Sequence, residues 1–253
     1  MSKLFLRSVN KKNFFFIFFV ILATTIIWPK VSQAPSSSLR SKPSVTPSLR
    51  SEPGAIPSPS PSKYLIKTTF VPQAPEKNWD QPWQDACEEA ALLTVHYYYQ
   101  NQNPSTQTIV SDIQKMIDFE TKNQFSKDVN LIQMAQIATQ HLAYQTKIIT
   151  NPSLDQIKSY LVSDTPIIIP ANGKQLFAEN RYFTHGGPYY HNLVILGFDD
   201  KKQQFTVHDV GTQHGAYFKY SYQLLMDSIH DFPDSGNKED INLGAKSVLI
   251  LLQ

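Results

Sequence analysis

The chain changes texture three times. Phe14 to Trp28 (FFFIFFVILATTIIW) is apolar without a charge, and it follows Lys3, Arg7, Lys11 and Lys12. Residues 29–62 then lose almost all apolar patterning, and from Lys63 onward hydrophobic positions recur with the periods of regular structure. Tyr64 to Phe70 is rich in β-branched and aromatic residues and stops before Pro72, which predicts a strand. Apolar residues at helical spacing predict helices over 86–100, 106–121 and 129–142. Asn151 and Pro152 read as N-cap and first helical residue of a short helix to Val162. Strands are then expected over 167–170, 191–198, 204–209, 216–219 and 246–252, with a brief helix capped by Ser221 and running to Ile229. Helices first and strands afterwards predict an α+β domain over residues 63–253, a helix-rich lobe against an antiparallel sheet.

The two leading segments are of another kind. The apolar run suits either a membrane span or a secretory segment, and its basic flank sets everything after Trp28 outside the cytoplasm. Ser32, Gln33 and Ala34 form a small-x-small cleavage motif, but Pro35 would follow the cut, which favours an uncleaved signal anchor over a signal peptide. Residues 29–62 carry eight prolines and eleven serines, and Ser38 to Pro43 (SLRSKP) recurs as Ser48 to Pro53 (SLRSEP). Such a stretch cannot bury enough apolar surface to offset its chain entropy and is expected to act as a disordered, extended spacer.

Charge narrows the functional classes. Residues 1–62 hold eight of the 23 basic side chains and one of the 21 acidic ones, Glu52, so the folded part is net acidic. A nucleic-acid binder should instead show a basic patch on its domain. A single cysteine excludes an internal disulfide framework and any multi-Cys zinc or iron–sulfur site.

That cysteine, Cys87, stands at the expected start of a helix. Asp85 is placed to cap it, with Glu88 three residues on as the second half of a capping box. A thiolate in the first turn gains from unpaired backbone N–H groups and the helix dipole. Glu88 and Glu89 oppose this, since carboxylates beside the sulfur raise its pKa unless they point away. A lone cysteine is most often a small buried hydrophobe, yet an exported protein that keeps an unpaired thiol invites oxidation unless it uses it.

A second constellation follows from strand register. If the hairpin after His191 pairs residues whose numbers sum to 400, Ile195 faces Phe205, Leu193 faces Val207 and His191 faces Asp209. A one-residue slip would set Leu193 and Ile195 against His208 and Thr206. An Asp bonded to one imidazole nitrogen leaves the other free to take a thiol proton. His185, in the glycine-rich stretch Thr184 to Pro188, and His208, on the opposite side of the hairpin, are rival bases. A metal site drawn from His185, His191, His208, Asp209 and His214 matches no familiar ligand spacing, and no cofactor is implied.

Cys87 opening a helix, the later run His191 to Asp200 and Asp209 closing the next strand resemble the papain-like cysteine peptidases, most of all the double-glycine, bacteriocin-processing peptidase domain and its peptidase-like relatives. The resemblance spans Lys63 to Leu252 and implies a papain-like fold with Cys87 as nucleophile, His191 as general base and acid, and Asp209 as the orienting group. Gln81, six residues before the cysteine, falls where the family has an oxyanion donor, with Gln84 the weaker alternative. Glu88 replaces the glycine that often follows the family's cysteine, and specificity for a double-glycine leader does not carry over. Three readings follow. The first is a membrane-tethered, extracytoplasmic cysteine peptidase acting on peptide or protein substrates through a thioester. The second is an inactive papain-like binding module whose groove is lined by Tyr97 to Tyr99, Tyr182, Phe183, Tyr189 and Tyr190. The third passes the acyl group to an amine.

Overall fold

The structure, a computed structural model, describes residues 61–253. The apolar segment 14–28 and nearly all of the Pro/Ser-rich spacer lie outside these residues, and no helix among those described is long and apolar enough to cross a membrane.

The helical half comes first. Helix α1 (Cys87–Tyr99) is followed by α2 (Thr106–Lys122) and α3 (Leu131–Gln140). Ten of the thirteen α1 residues are buried, Ala90, Ala91, Leu92 and Leu93 in succession, so this helix is wrapped on nearly every side rather than amphipathic. Truncating Leu92 or Leu93 to alanine would cost about 2–5 kcal/mol. Helices α2 and α3 keep a polar face, and each begins on a side-chain cap. Ser105 Oγ accepts from Thr108 N at 3.2 Å, and Asn130 forms a reciprocal capping box with Gln133.

Among the described residues seven strands make one sheet: β1 (Lys63–Leu65), β2 (Gln145–Thr150), β3 (Ile167–Asn172), β4 (Tyr190–Asp199), β5 (Gln204–His208), β6 (Phe218–Ser221) and β7 (Ser247–Leu252). They run in the order β2-β7-β3-β4-β5-β6, every pairing is antiparallel, and β1 joins the far end of β4. Helix α4 (Leu154–Val162), the short α5 (Gly173–Leu176) and α6 (Tyr222–Ser228) connect these strands. Strands β3 and β4 are buried from end to end except Asp199, and α1 packs on β4. The α+β class is the one expected, with the helical half against an antiparallel sheet.

Several elements depart from the sequence expectation, each for a physical reason. The strand expected over 64–70 ends at Leu65 because the phenol of Tyr217 replaces the ladder, donating to Thr68 O at 2.9 Å and accepting from Thr68 N at 3.0 Å. Strand β6 starts at Phe218, not Ala216, because Tyr217 turns the chain through φ 51°. Ser153, not Asn151, caps α4. Strand β2 was not expected: it is an edge strand with only Ile149 buried, and its one neighbour, β7, lies about a hundred residues on. The register of the β4–β5 hairpin also differs. Val194 pairs with His208 and Ile195 with Val207, a sum of 402, and past the bulge at Leu196 Phe198 pairs with Phe205, a sum of 403. Gly197 follows that bulge, where a Cβ would collide with the Tyr64 carbonyl of β1.

Candidate active site

Cys87 is the first residue of α1, and the chain enters it through a 3-10 turn over Trp83–Asp85. The N-cap is Ala86, without a side-chain cap, so the expected Asp85–Glu88 capping box does not form. Asp85 instead accepts from Gln81 Nε2 at 2.8 Å and lies 3.9 Å from Lys127 Nζ. The turn is held from beneath by Gln73, a buried residue absent from the sequence reading. Its Nε2 donates to Trp83 O at 3.1 Å and Gln84 O at 2.8 Å, while its backbone N–H reaches Val210 O at 3.0 Å. Gln73 thereby ties the approach to Cys87 to the residue after Asp209.

The thiol is buried, and its surroundings differ from those expected at a helix N-terminus. Sγ donates to Glu88 Oε2 at 2.9 Å, and Asn192 of β4 approaches Sγ with its amide at 3.9 Å. Burial pushes the thiol well above its ordinary range; the charge of Glu88 and the bond to it add to this, and Asn192 opposes it. Glu88 and Glu89 do not point away into solvent. Both are buried and held well above the usual carboxyl range, first by burial and then by neighbouring acids.

His191 and Asp209 meet. His191 Nε2 is 2.8 Å from Asp209 Oδ1, and both residues are buried. Gly211 N donates to the same Oδ1 at 3.2 Å, while Asn180 Nδ2 at 2.9 Å and Tyr220 Oη at 2.5 Å donate to Oδ2. Burial alone would raise Asp209, but the His191 charge and the bonds from His191, Tyr220 and Asn180 hold it below the usual carboxylate range. Phe183 packs edge-on against the imidazole, ring centres 5.3 Å apart. Nothing local in the sequence marks Asn180 or Tyr220, which reach Asp209 from the loop after α5 and from β6.

Among the described residues no hydrogen bond joins Cys87 to His191; the thiol meets β4 at Asn192, the next residue along. Gln81 is exposed and turned to Asp85, and the side chain of Gln84 is not part of this cluster. Among the rival histidines, His185 sits in an exposed left-handed turn at φ 53°. His208 lies between the rings of Phe70 and Tyr217 on the other face of the hairpin, with neither nitrogen bonded. His214 stacks on Tyr182 at 4.3 Å, so these histidines and Asp209 do not converge as metal ligands. The aromatic residues do not share one groove either. Tyr97 and Tyr99 end α1 far from Cys87 and bond to Asp112 and Leu251, while Tyr190 is buried against Val129.

The family model described as "Peptidase_C39 like family" matches residues 67–232, which span Cys87, His191 and Asp209. The chain belongs to the Peptidase_C39-like family. Two solved structures are similar to it. A putative C39-like peptidase from Bacillus anthracis is 14% identical, with 76% of this chain and 98% of that one covered, at a TM-score of 0.47. Xylellain, a cysteine protease from Xylella fastidiosa, is 12% identical, covering 76% and 85%, at 0.39. No curated protein matches the chain.

Proposed function

We propose that this C39-like domain is a cysteine peptidase that hydrolyses peptide bonds with Cys87 as nucleophile, His191 as general base and acid, and Asp209 as the group that orients the imidazole. The observation that carries this reading is the buried bond from His191 of β4 to Asp209, just past β5; β4 is also the strand that Cys87 touches through Asn192. With Nε2 engaged by the carboxylate, Nδ1 has no hydrogen-bond partner among the described residues and is left to exchange a proton with the sulfur. In the first step the Cys87 proton passes to Nδ1 and the thiolate adds to the scissile carbonyl carbon. The backbone N–H of Cys87 and the amide of Gln81, once turned from Asp85, hold the resulting oxyanion. The imidazolium then protonates the departing amine, leaving a thioester. Water, deprotonated by His191, adds to that thioester and releases the acid with the thiol restored.

The apolar segment 14–28 and the spacer behind it support a tethered enzyme working outside the cytoplasm. A second reading, a binding module without turnover, is favoured by one observation: the thiol rests on Glu88 and Gln81 on Asp85. Incubation of the protein, Cys87→Ala and His191→Ala with a peptide library, read by mass spectrometry, separates the two. Cleavage by the parent and by neither variant is expected. Retention of peptides without a single product overturns the peptidase reading. An added amine nucleophile recovered in the products assigns acyl transfer instead.

A further inference from the structure

Glu88 has no assigned role in the peptidase reading, and its setting is unusual. It is wholly buried on α1, and among the described residues no cation pairs with it. Its Oε1 accepts from Val129 N at 3.1 Å, and its Oε2 accepts the Cys87 thiol proton at 2.9 Å. The groups facing it are acidic or neutral on every side: Glu89 on α1, Glu120 from α2, Asp128 before α3, and Cys87 with Tyr190 beyond. A thiolate beside an ionised Glu88 would place two negative charges about a hydrogen bond apart with nothing to offset them. Cys87 and Glu88 are therefore not ionised together: the pair carries at most one negative charge, and the thiol keeps the proton it donates to Oε2.

We propose that Glu88 is a positioning residue that holds the Cys87 proton in the resting site, so that the nucleophile stays masked until Sγ turns from Oε2 toward His191. For its consequence in turnover this rests on the peptidase reading; the bond itself does not. On release, the S–H···Oε2 bond breaks, the proton passes to His191 Nδ1, and Glu88 keeps its bond to Val129. A protonated thiol is less readily oxidised than a thiolate, so the mask protects the chain's one cysteine before a substrate arrives.

Because Cys87 is the chain's single cysteine, alkylation by iodoacetamide reports it alone. Glu88→Gln, nearly isosteric and uncharged, is expected to raise the alkylation rate at pH 7 roughly tenfold and to move the inflection of the pH–rate profile down by about one unit. An unchanged profile in a folded Glu88→Gln protein overturns the proposal. Should that variant not fold, the parent serves through its S–H stretching band, identified by its loss in Cys87→Ser. A band displaced from that of a free thiol is expected, and an undisplaced one overturns the proposal. His191→Ala abolishes peptide cleavage but leaves the Glu88-dependent shift in place, so a failed peptidase reading is distinguishable from a failed mask.

Discussion

His191 bonds to Asp209 at 2.8 Å although the β4–β5 ladder does not set them opposite one another. The ladder ends at Val194–His208; extended past that pair, its sum of 402 would set Gly211 opposite His191 and leave Asp209 on the diagonal. Up to the bulge the shift from the expected sum of 400 is two residues, which keeps each side chain there on its own face, and diagonal neighbours remain within reach of a side chain as long as imidazole. The pair survives an error in register that a shift of one would not have forgiven.

Gly211 makes room for that diagonal. A Cβ there would lie 2.6 Å from His191 Cε1. Gly211→Ala is expected to displace the imidazole and lower kcat/KM about a hundredfold, and to cost about 1–3 kcal/mol of stability, because the colliding ring is buried and bonded to Asp209. Peptide-cleavage kinetics beside a melting curve check this; unchanged kinetics would count against the account.

Asp209→Asn keeps the size of the side chain and removes its charge. Loss of kcat by about a thousandfold or more is expected from an imidazole held in the wrong tautomer. Because the folded pKa of Asp209 lies below its unfolded value, its stabilisation is present above about pH 4 and lost as pH falls through the lower folded value. Urea midpoints of parent and variant should therefore differ most at neutral pH and converge in acid.

The pair Glu89 and Glu120 points the other way. Burial, then the charge of Glu88, raises Glu120 to about 8, and one oxygen of each carboxyl has no partner. A carboxyl whose pKa rises on folding contributes stability fully below about pH 4.3 and loses it as pH climbs to its folded value. The parent is expected to lose melting temperature between pH 5 and pH 8, and Glu120→Gln to flatten that decline. Parallel melting curves across this range would count against the account.

His208 is buried with both ring nitrogens unbonded, the Thr69 backbone lying beside the ring without completing a bond, and burial lowers it to about 3. The unfolded chain takes a proton near pH 6.5 that the folded one refuses, so stability drains away between about pH 6.5 and pH 3. His208→Phe, between the rings of Phe70 and Tyr217, is expected to stabilise by about 1–3 kcal/mol. Chemical denaturation at pH 5 measures it.

Much of this domain was legible in the amino-acid order because local rules and tertiary packing agree there. Helices α1, α2 and α3, the buried strands β3, β4 and β5 and the Ser221 cap of α6 each follow from periodicity or capping chemistry within a dozen residues. His191 and Asp209 were legible too, since period-two alternation constrains which face a side chain takes even when register is uncertain. Partners distant in sequence were not. The edge strand β2 exists only because β7 returns beside it, and Gln73, Asn180 and Tyr220 acquire their roles from neighbours that no local pattern specifies. The protonation of Cys87 was likewise left to the fold. Helix position alone favoured a thiolate, and only packing decided that Cys87 would be buried with Glu88 sealed in beside it, where the cost of burying charge outweighs the helix dipole.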